Sequence, residues 1–221
     1  LPIFLKETFS FFVTGIDTYG PVSSVSRSDV NMIVTVDPKT HQILLTSIPR
    51  DYHVKLASFG AYDKLTHAGI YGVGESVKTL ENLLDIDIDY YVRVNFSSVE
   101  QIVDALGGVD VYSHYTFSTY GGTSFQKGMN HVDGKKALTF VRERYNLPNG
   151  DNDRVRHQQE LVKGMINKAM SPTILTNYTS ILSSVSGSFE TSLPEKDLKN
   201  LVKMQLDKNP SWDIQQVQLT G

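Results

Sequence analysis

Two aspartates stand at the ends of neighbouring apolar runs: Asp17 follows "TFSFFVTGI" and Asp29 precedes "VNMIVTV". Carboxylates so placed are either solvent-facing caps or the protein's share of a hard-cation site. Mg²⁺ keeps several waters and uses one or two carboxylates beside substrate phosphates, so two aspartates suffice. Arg27, Arg50, Arg142, Arg144, Arg154 and Arg156 form a second set. A guanidinium fork binds phosphate oxygens in pairs, so several arginines converging would mark a polyanion site. The other reading of Arg142 and Arg144 is a solvated helix end, where positive charge suits the dipole. On a continuous helix these two point about 200° apart, so sharing one site requires the helix to end near Phe140. A third stretch, "NGDNDRVRHQQ", offers Asp151 or Asp153 as a helix cap and aligns Arg154 with Gln158 four residues on. A helix N-terminus there would aim backbone N–H groups at an anion; the alternative is a charged surface turn.

Other chemistries find little support. The chain has 221 residues and no cysteine, which removes thiol catalysis, disulfides and thiolate metal sites. Its six histidines show no HExxH spacing, its serines no G-x-S-x-G elbow, and "GIYGVG" lacks the lysine that ends a phosphate loop. Lys64, in "YDKLTHAG", lies just before a short helix candidate and is either a phosphate contact or a surface lysine. A net charge of −3 gives no general attraction to nucleic acid. No apolar run approaches the roughly 20 residues of a membrane span.

The elements that must position these groups alternate between strand and helix. Residues 8–16 read as a buried strand, followed by a loop to Asp29. "VNMIVTVD" and "HQILLTSIP" read as an antiparallel hairpin turning at "DPKTH". Residues 50–75 read as a long irregular crossover. A helix follows on Val77, Leu80, Leu83 and Leu84, starting at Glu75 or Ser76, and "DIDYYVRVNF" is the next strand. "SSVEQIVDALGG" is a short helix ended by glycine, and "VDVYSHYTF" a strand at an edge. Asp133 caps "GKKALTFVRERY", and an amphipathic helix runs from Arg154 on Val155, Leu161, Val162, Met165, Ile166 and Ala169. Residues 172–185 form a helix, Ser192 caps another with Pro194 in its first turn, and "DIQQVQL" is a last strand. Mixed strands and helices without a linker predict one α/β domain over residues 1–221, a central mixed β-sheet with helices on both faces.

In order along the chain, "GIDTY", "SRSD", "TSIPRD", "DKLTHAGIYGVG", "DIDYYVRVNF", "VDALGGVDV", "GMNHVDGKKALTFVRERY" and "GDNDRVRHQQ" resemble the LytR-CpsA-Psr family. These enzymes attach capsule or teichoic-acid glycopolymers to the Gram-positive cell wall. The resemblance implies that Asp17 and Asp29 hold Mg²⁺, with Mn²⁺ as the alternative ion. It implies that Arg50, Arg142, Arg144, Arg154 and Gln158 bind the pyrophosphate of a polyprenyl-linked glycan, with Arg27 and Lys64 beside them. Asp17, Asp29, Arg50 and Arg144 are then the catalytic set. The family's last motif commonly carries a second arginine where this chain has His157; whether Arg156, one position earlier, compensates stays open.

The same resemblance implies phosphoryl transfer. A peptidoglycan hydroxyl attacks the phosphorus next to the sugar and polyprenyl phosphate leaves. The alternatives are a hydrolase using water and a non-catalytic polyprenyl-phosphate-binding module. A polyprenyl tail needs an apolar cavity between sheet and helices, lined by Phe11, Val13, Val34, Leu45, Val92, Val94, Leu161 and Met165, unless these are plain core. The family is tethered by an N-terminal membrane helix absent from this sequence, with its catalytic domain outside the cell. Glycan, acceptor hydroxyl and oligomeric state stay open.

Overall fold

The computed structural model describes residues 8–220. In chain order these form β1 (Phe9–Ile16), β2 (Ser28–Asp37), β3 (Gln42–Ser47), β4 (His53–Lys55), β5 (Tyr62–Lys64), α1 (Leu65–Ala68), α2 (Val73–Leu84), β6 (Tyr90–Val94) and α3 (Phe96–Ala105). Then follow β7 (Val109–Ser113), β8 (Phe117–Ser118), β9 (Ser124–Phe125), β10 (Gly128–Val132), α4 (Gly134–Arg142), α5 (Asp151–Ala169), α6 (Pro172–Thr176) and α7 (Tyr178–Ser184). The chain ends with β11 (Glu190–Thr191), α8 (Glu195–Lys208) and β12 (Asp213–Gln218). Two compact units result, residues 8–96 with 187–220, and residues 97–186. No described helix is long and apolar enough to cross a membrane.

The first unit is built on a six-stranded sheet of order β11-β6-β1-β2-β3-β12. It is mixed: β1 runs parallel to β6 and β3 parallel to β12, while β2 is antiparallel to both its neighbours. Side chains alternate between faces along each strand. Phe12 and Ile33 point to one face and bury against Leu65, Ala68 and Leu80 of α1 and α2. Phe11, Val34, Leu45 and Tyr90 share the other face by register, and there the Tyr90 hydroxyl meets Asp197 of α8. Helices thus cover both faces, the predicted αβα arrangement.

The second unit packs α4 and α5 on the β7–β10 ribbon around Val103, Val111, Phe125, Phe140 and Leu161. Gly164 lets α5 approach this ribbon, because a Cβ there would run into the Asp110 carbonyl.

Several local expectations need correction. The stretch read as irregular holds the β4–β5 hairpin and α1. Gly72, not Glu75 or Ser76, precedes α2; both of those are buried within it. Pro194, not Ser192, is the N-cap of α8, and Gly150 that of α5. The helix expected over residues 172–185 breaks at Asn177 into α6 and α7. β7 pairs only with β10 in its own ribbon, outside the six-stranded sheet.

Candidate functional site

The β1–β2 ladder slips by one residue at its open end: Gly15 pairs with Val30, but Ile16 pairs with Ser28. Asp29 is therefore the extra residue of a β-bulge, a device that re-aims a side chain at a strand end. Its carboxylate leaves the ladder to meet Arg50, whose Nη1 donates to Oδ1 at 2.8 Å, and Thr66 of α1, whose hydroxyl donates to the same oxygen at 3.3 Å. Arg50 is itself fastened, its carbonyl accepting the Thr66 N–H at 2.8 Å. Gly69 permits this close packing, since a Cβ there would lie 2.7 Å from the Ser28 nitrogen.

Asp17 sits one residue beyond the Ile16–Ser28 pair, in a tight turn closed by the Thr18 N–H on the Ile16 carbonyl. The loop from Asp17 to Arg27 is held from β6. Buried Arg93 donates to the Ser24 carbonyl at 2.6 Å and pairs with Glu190, and Asn95 donates to the Gly20 carbonyl. Asp17 and Arg27 are exposed, and their side chains make no hydrogen bond or ion pair among the described residues. Lys64 is exposed on β5 opposite His53.

The donor set suits a hard cation to a limited degree. Asp29 spends Oδ1 on Arg50 and Thr66, which leaves Oδ2 as its open acceptor, and the Asp17 carboxylate lies in the turn just beyond β1. No group of three or more metal-ligating His, Asp or Glu side chains gathers among the described residues. A divalent ion here would complete its shell with water and substrate phosphate, as Mg²⁺ does.

In the second unit the arginines are set by a buried carboxylate. The helix α4 ends at Arg142, and Glu143 is extended at φ −67°, ψ 134°. The helix ends two residues later than the Phe140 expected for a shared site. Glu143 is buried, whereas Arg142 before it, the last helical residue, is exposed and Arg144 after it partly buried. Glu143 turns inward, and its Oε1 accepts the N–H groups of Arg144, Tyr145 and Asn146 at 2.9, 2.8 and 3.0 Å. Burial pushes its pKa up, but the bonds from Asn146, Tyr145 and Arg144 outweigh it and hold the carboxyl below its ordinary value.

Arg144 lies over the Tyr145 ring, 4.6 Å from its centre, and donates to its hydroxyl. That bond chiefly, and the Asp151 carboxylate more weakly, raise the arginine's pKa. Asp151 also pairs with Arg154, so it stands between the two arginines. Arg154 and Gln158 are partly buried on one face of α5. Asp153 is buried and accepts from the Asn149 backbone and from Arg156, which ties Arg156 into a local pair.

His157 is 1% exposed. Its ring stacks on Phe140 at 3.9 Å, and Nδ1 donates to the Phe140 carbonyl at 3.0 Å. Burial lowers its pKa to about 4, against the opposing pull of that bond. It is a neutral core histidine at neutral pH, and a phosphate contact in place of an arginine is not its role.

Of the apolar candidates, Phe11, Val13, Val34, Leu45 and Val92 share the α8 face of the sheet by register, and Val94 continues the β6 alternation. Val34 and Leu45 are buried, whereas Phe11, Val13, Val92 and Val94 are only partly buried although they stand on interior strands. Leu161 lies in the core of the second unit, with Met165 packed against it. Thr66, Arg93, Glu143 and Asp151 were not singled out as site residues from sequence. The one available signal is "RERY", in which two arginines flank a glutamate.

The profile of the LytR_cpsA_psr family matches residues 5–221. The polyisoprenyl-teichoic acid–peptidoglycan teichoic acid transferase TagU of Enterococcus faecalis is 37% identical over 220 residues, covering 98% of this chain and 71% of that protein. The crystal structure of Bacillus subtilis TagV superposes with a TM-score of 0.82 at 31% identity, covering 98% of this chain and 85% of that one. TagT bound to LIIa-WTA superposes with a TM-score of 0.78 at 32% identity, covering 99% and 81%. A profile match across almost the whole length, together with these relatives, leads to one conclusion: the chain belongs to the LytR-CpsA-Psr family.

Proposed function

We propose that this protein transfers a glycopolymer from a polyprenyl-pyrophosphate carrier to a peptidoglycan hydroxyl. The hydroxyl oxygen bonds to the phosphorus next to the sugar, and the bond from that phosphorus to the bridging oxygen breaks. The polyprenyl monophosphate carries away the electron pair, and the acceptor's proton passes to a carboxylate. The product is a phosphodiester between glycan and wall. The observation that carries this reading is Asp29, bulged out of its ladder and clamped by Arg50 and Thr66. A strand-end carboxylate that served only as a cap would need neither partner.

Asp17, free of other bonds, is the base for the acceptor hydroxyl, and Asp17 and Asp29 are the residues that would hold Mg²⁺ or Mn²⁺. Such an ion, when bound, neutralises phosphate charge. Arg27, Arg50 and Lys64 of the first unit and Arg142, Arg144, Arg154 and Gln158 of the second are the residues proposed to bind pyrophosphate oxygens, where guanidinium groups would stabilise the charge that grows on the leaving group. The apolar α8 face, left partly open at Phe11, Val13, Val92 and Val94, takes the polyprenyl chain, each buried CH₂ contributing about 0.8 kcal/mol. The catalytic domain works outside the cell at the membrane surface, where both carrier and wall are found.

Product analysis tests this. Supplied with a polyprenyl-pyrophosphate-linked glycan and peptidoglycan, the protein is expected to release polyprenyl monophosphate and leave glycan phosphodiester on the wall. Free glycan phosphate with peptidoglycan present would identify a hydrolase instead, and retention of the lipid without turnover a binding module.

A further inference from the structure

We propose that His157 is a positioning residue that fixes the turn carrying Arg142 and Arg144. The inference rests on the reading of those arginines as pyrophosphate ligands. The last four carbonyls of a helix lack intrahelical partners, and that of Phe140 is one of them in α4. The N–H that would otherwise approach it belongs to Arg144 and goes instead to Glu143. The imidazole Nδ1–H of His157 takes the vacated carbonyl at 3.0 Å. The ring packs against Phe140, at 3.9 Å and 15°, and against Phe117, at 5.4 Å and 19°.

Two buried groups therefore grip the chain on either side of Arg142. His157 holds the carbonyl before it, and Glu143 holds the three N–H groups after it. His157 also sits one turn along α5 from Arg154 and beside Gln158. One rigid helix thereby registers the arginine turn of α4 against the α5 ligands. A phenylalanine would fill the same slab of core but leave the carbonyl unpaired. An asparagine places an amide N–H where Nδ1 sits.

The test measures two things on the full chain: amide hydrogen exchange at residues 144–146, and affinity for inorganic pyrophosphate. His157→Phe is expected to speed exchange at those three amides and weaken pyrophosphate about tenfold or more, as misplacement of a binding group does. His157→Asn is expected to stay near the parent in both. If His157→Phe does not fold, His157→Gln, whose amide cannot reach the Nδ1 position, carries the same expectation. Parent-like exchange in the Phe or Gln variant would overturn the proposal, as would faster exchange with unchanged affinity while Arg144→Ala loses pyrophosphate. Arg144→Ala separates the two levels: parent-like pyrophosphate binding by that variant would remove the ligand reading itself, while faster exchange in the His157 variants would still establish the brace.

Discussion

Acidification should destabilise this protein through His157 in a window that can be worked out beforehand. Its folded pKa is lowered from 6.5 to about 4 by burial. The unfolded chain therefore binds a proton between those values that the folded chain refuses, and stability falls as pH falls through that window. Two and a half pH units at 1.36 kcal/mol each make a loss of about 3 kcal/mol, complete near pH 4 and absent above pH 7. Asp153 and Glu143 pull the ring towards protonation and His114 opposes it, so all three must be kept in the comparison. Urea unfolding at intervals from pH 7 to pH 4 measures the effect, with His157→Asn as the variant that keeps the bond and cannot titrate. Parent and variant are expected to run parallel above pH 7 and to diverge below it, the parent losing more. Parallel curves down to pH 4, or an imidazole that titrates near 6.5 by NMR, would refute the buried neutral assignment.

Further outcomes follow from single contacts. Glu143→Ala leaves three N–H groups without their acceptor and should cost about 2 kcal/mol of stability, read by denaturation, together with a marked loss of transfer. Gly69→Ala drives a methyl against the Ser28 backbone and should destabilise by about 1–3 kcal/mol while lowering turnover; Gly74→Ala, with nothing near its Cβ in α2, should hold or gain up to about 1 kcal/mol. Thr66→Val removes one of the two bonds on Asp29 and should lower kcat with little change in melting temperature.

What could be read in the sequence depended on the length and regularity of each element. The β2–β3 hairpin, the Asp133 cap on α4 and the body of α5 carry periodicity over many residues and stand as expected. Strands β4 and β5 have three residues each and α1 four, too short for any period to show, so the crossover looked irregular. Helix starts went astray where glycine or proline, not a side-chain cap, opened the helix, at Gly72 and Pro194. The bulge at Asp29 could not be seen, because register is a property of two strands. The roles of Thr66, Glu143 and His157 depend on contacts with chain 17 to 37 residues away, or on a turn whose inward residue only the fold reveals. His157 is the sharpest instance: its position in "RHQQ" suggested a weakened phosphate ligand, and packing against Phe140 makes it core.

The most direct measurement is the rate at which Asp29→Ala moves glycan from a polyprenyl-pyrophosphate carrier to peptidoglycan, with melting temperature recorded alongside. The expected result is a folded protein whose transfer has fallen by about 10²-fold or more, with Arg50→Ala falling in the same way. A folded Asp29→Ala protein that transfers at the parent rate would contradict the assignment of chemistry to the bulged carboxylate.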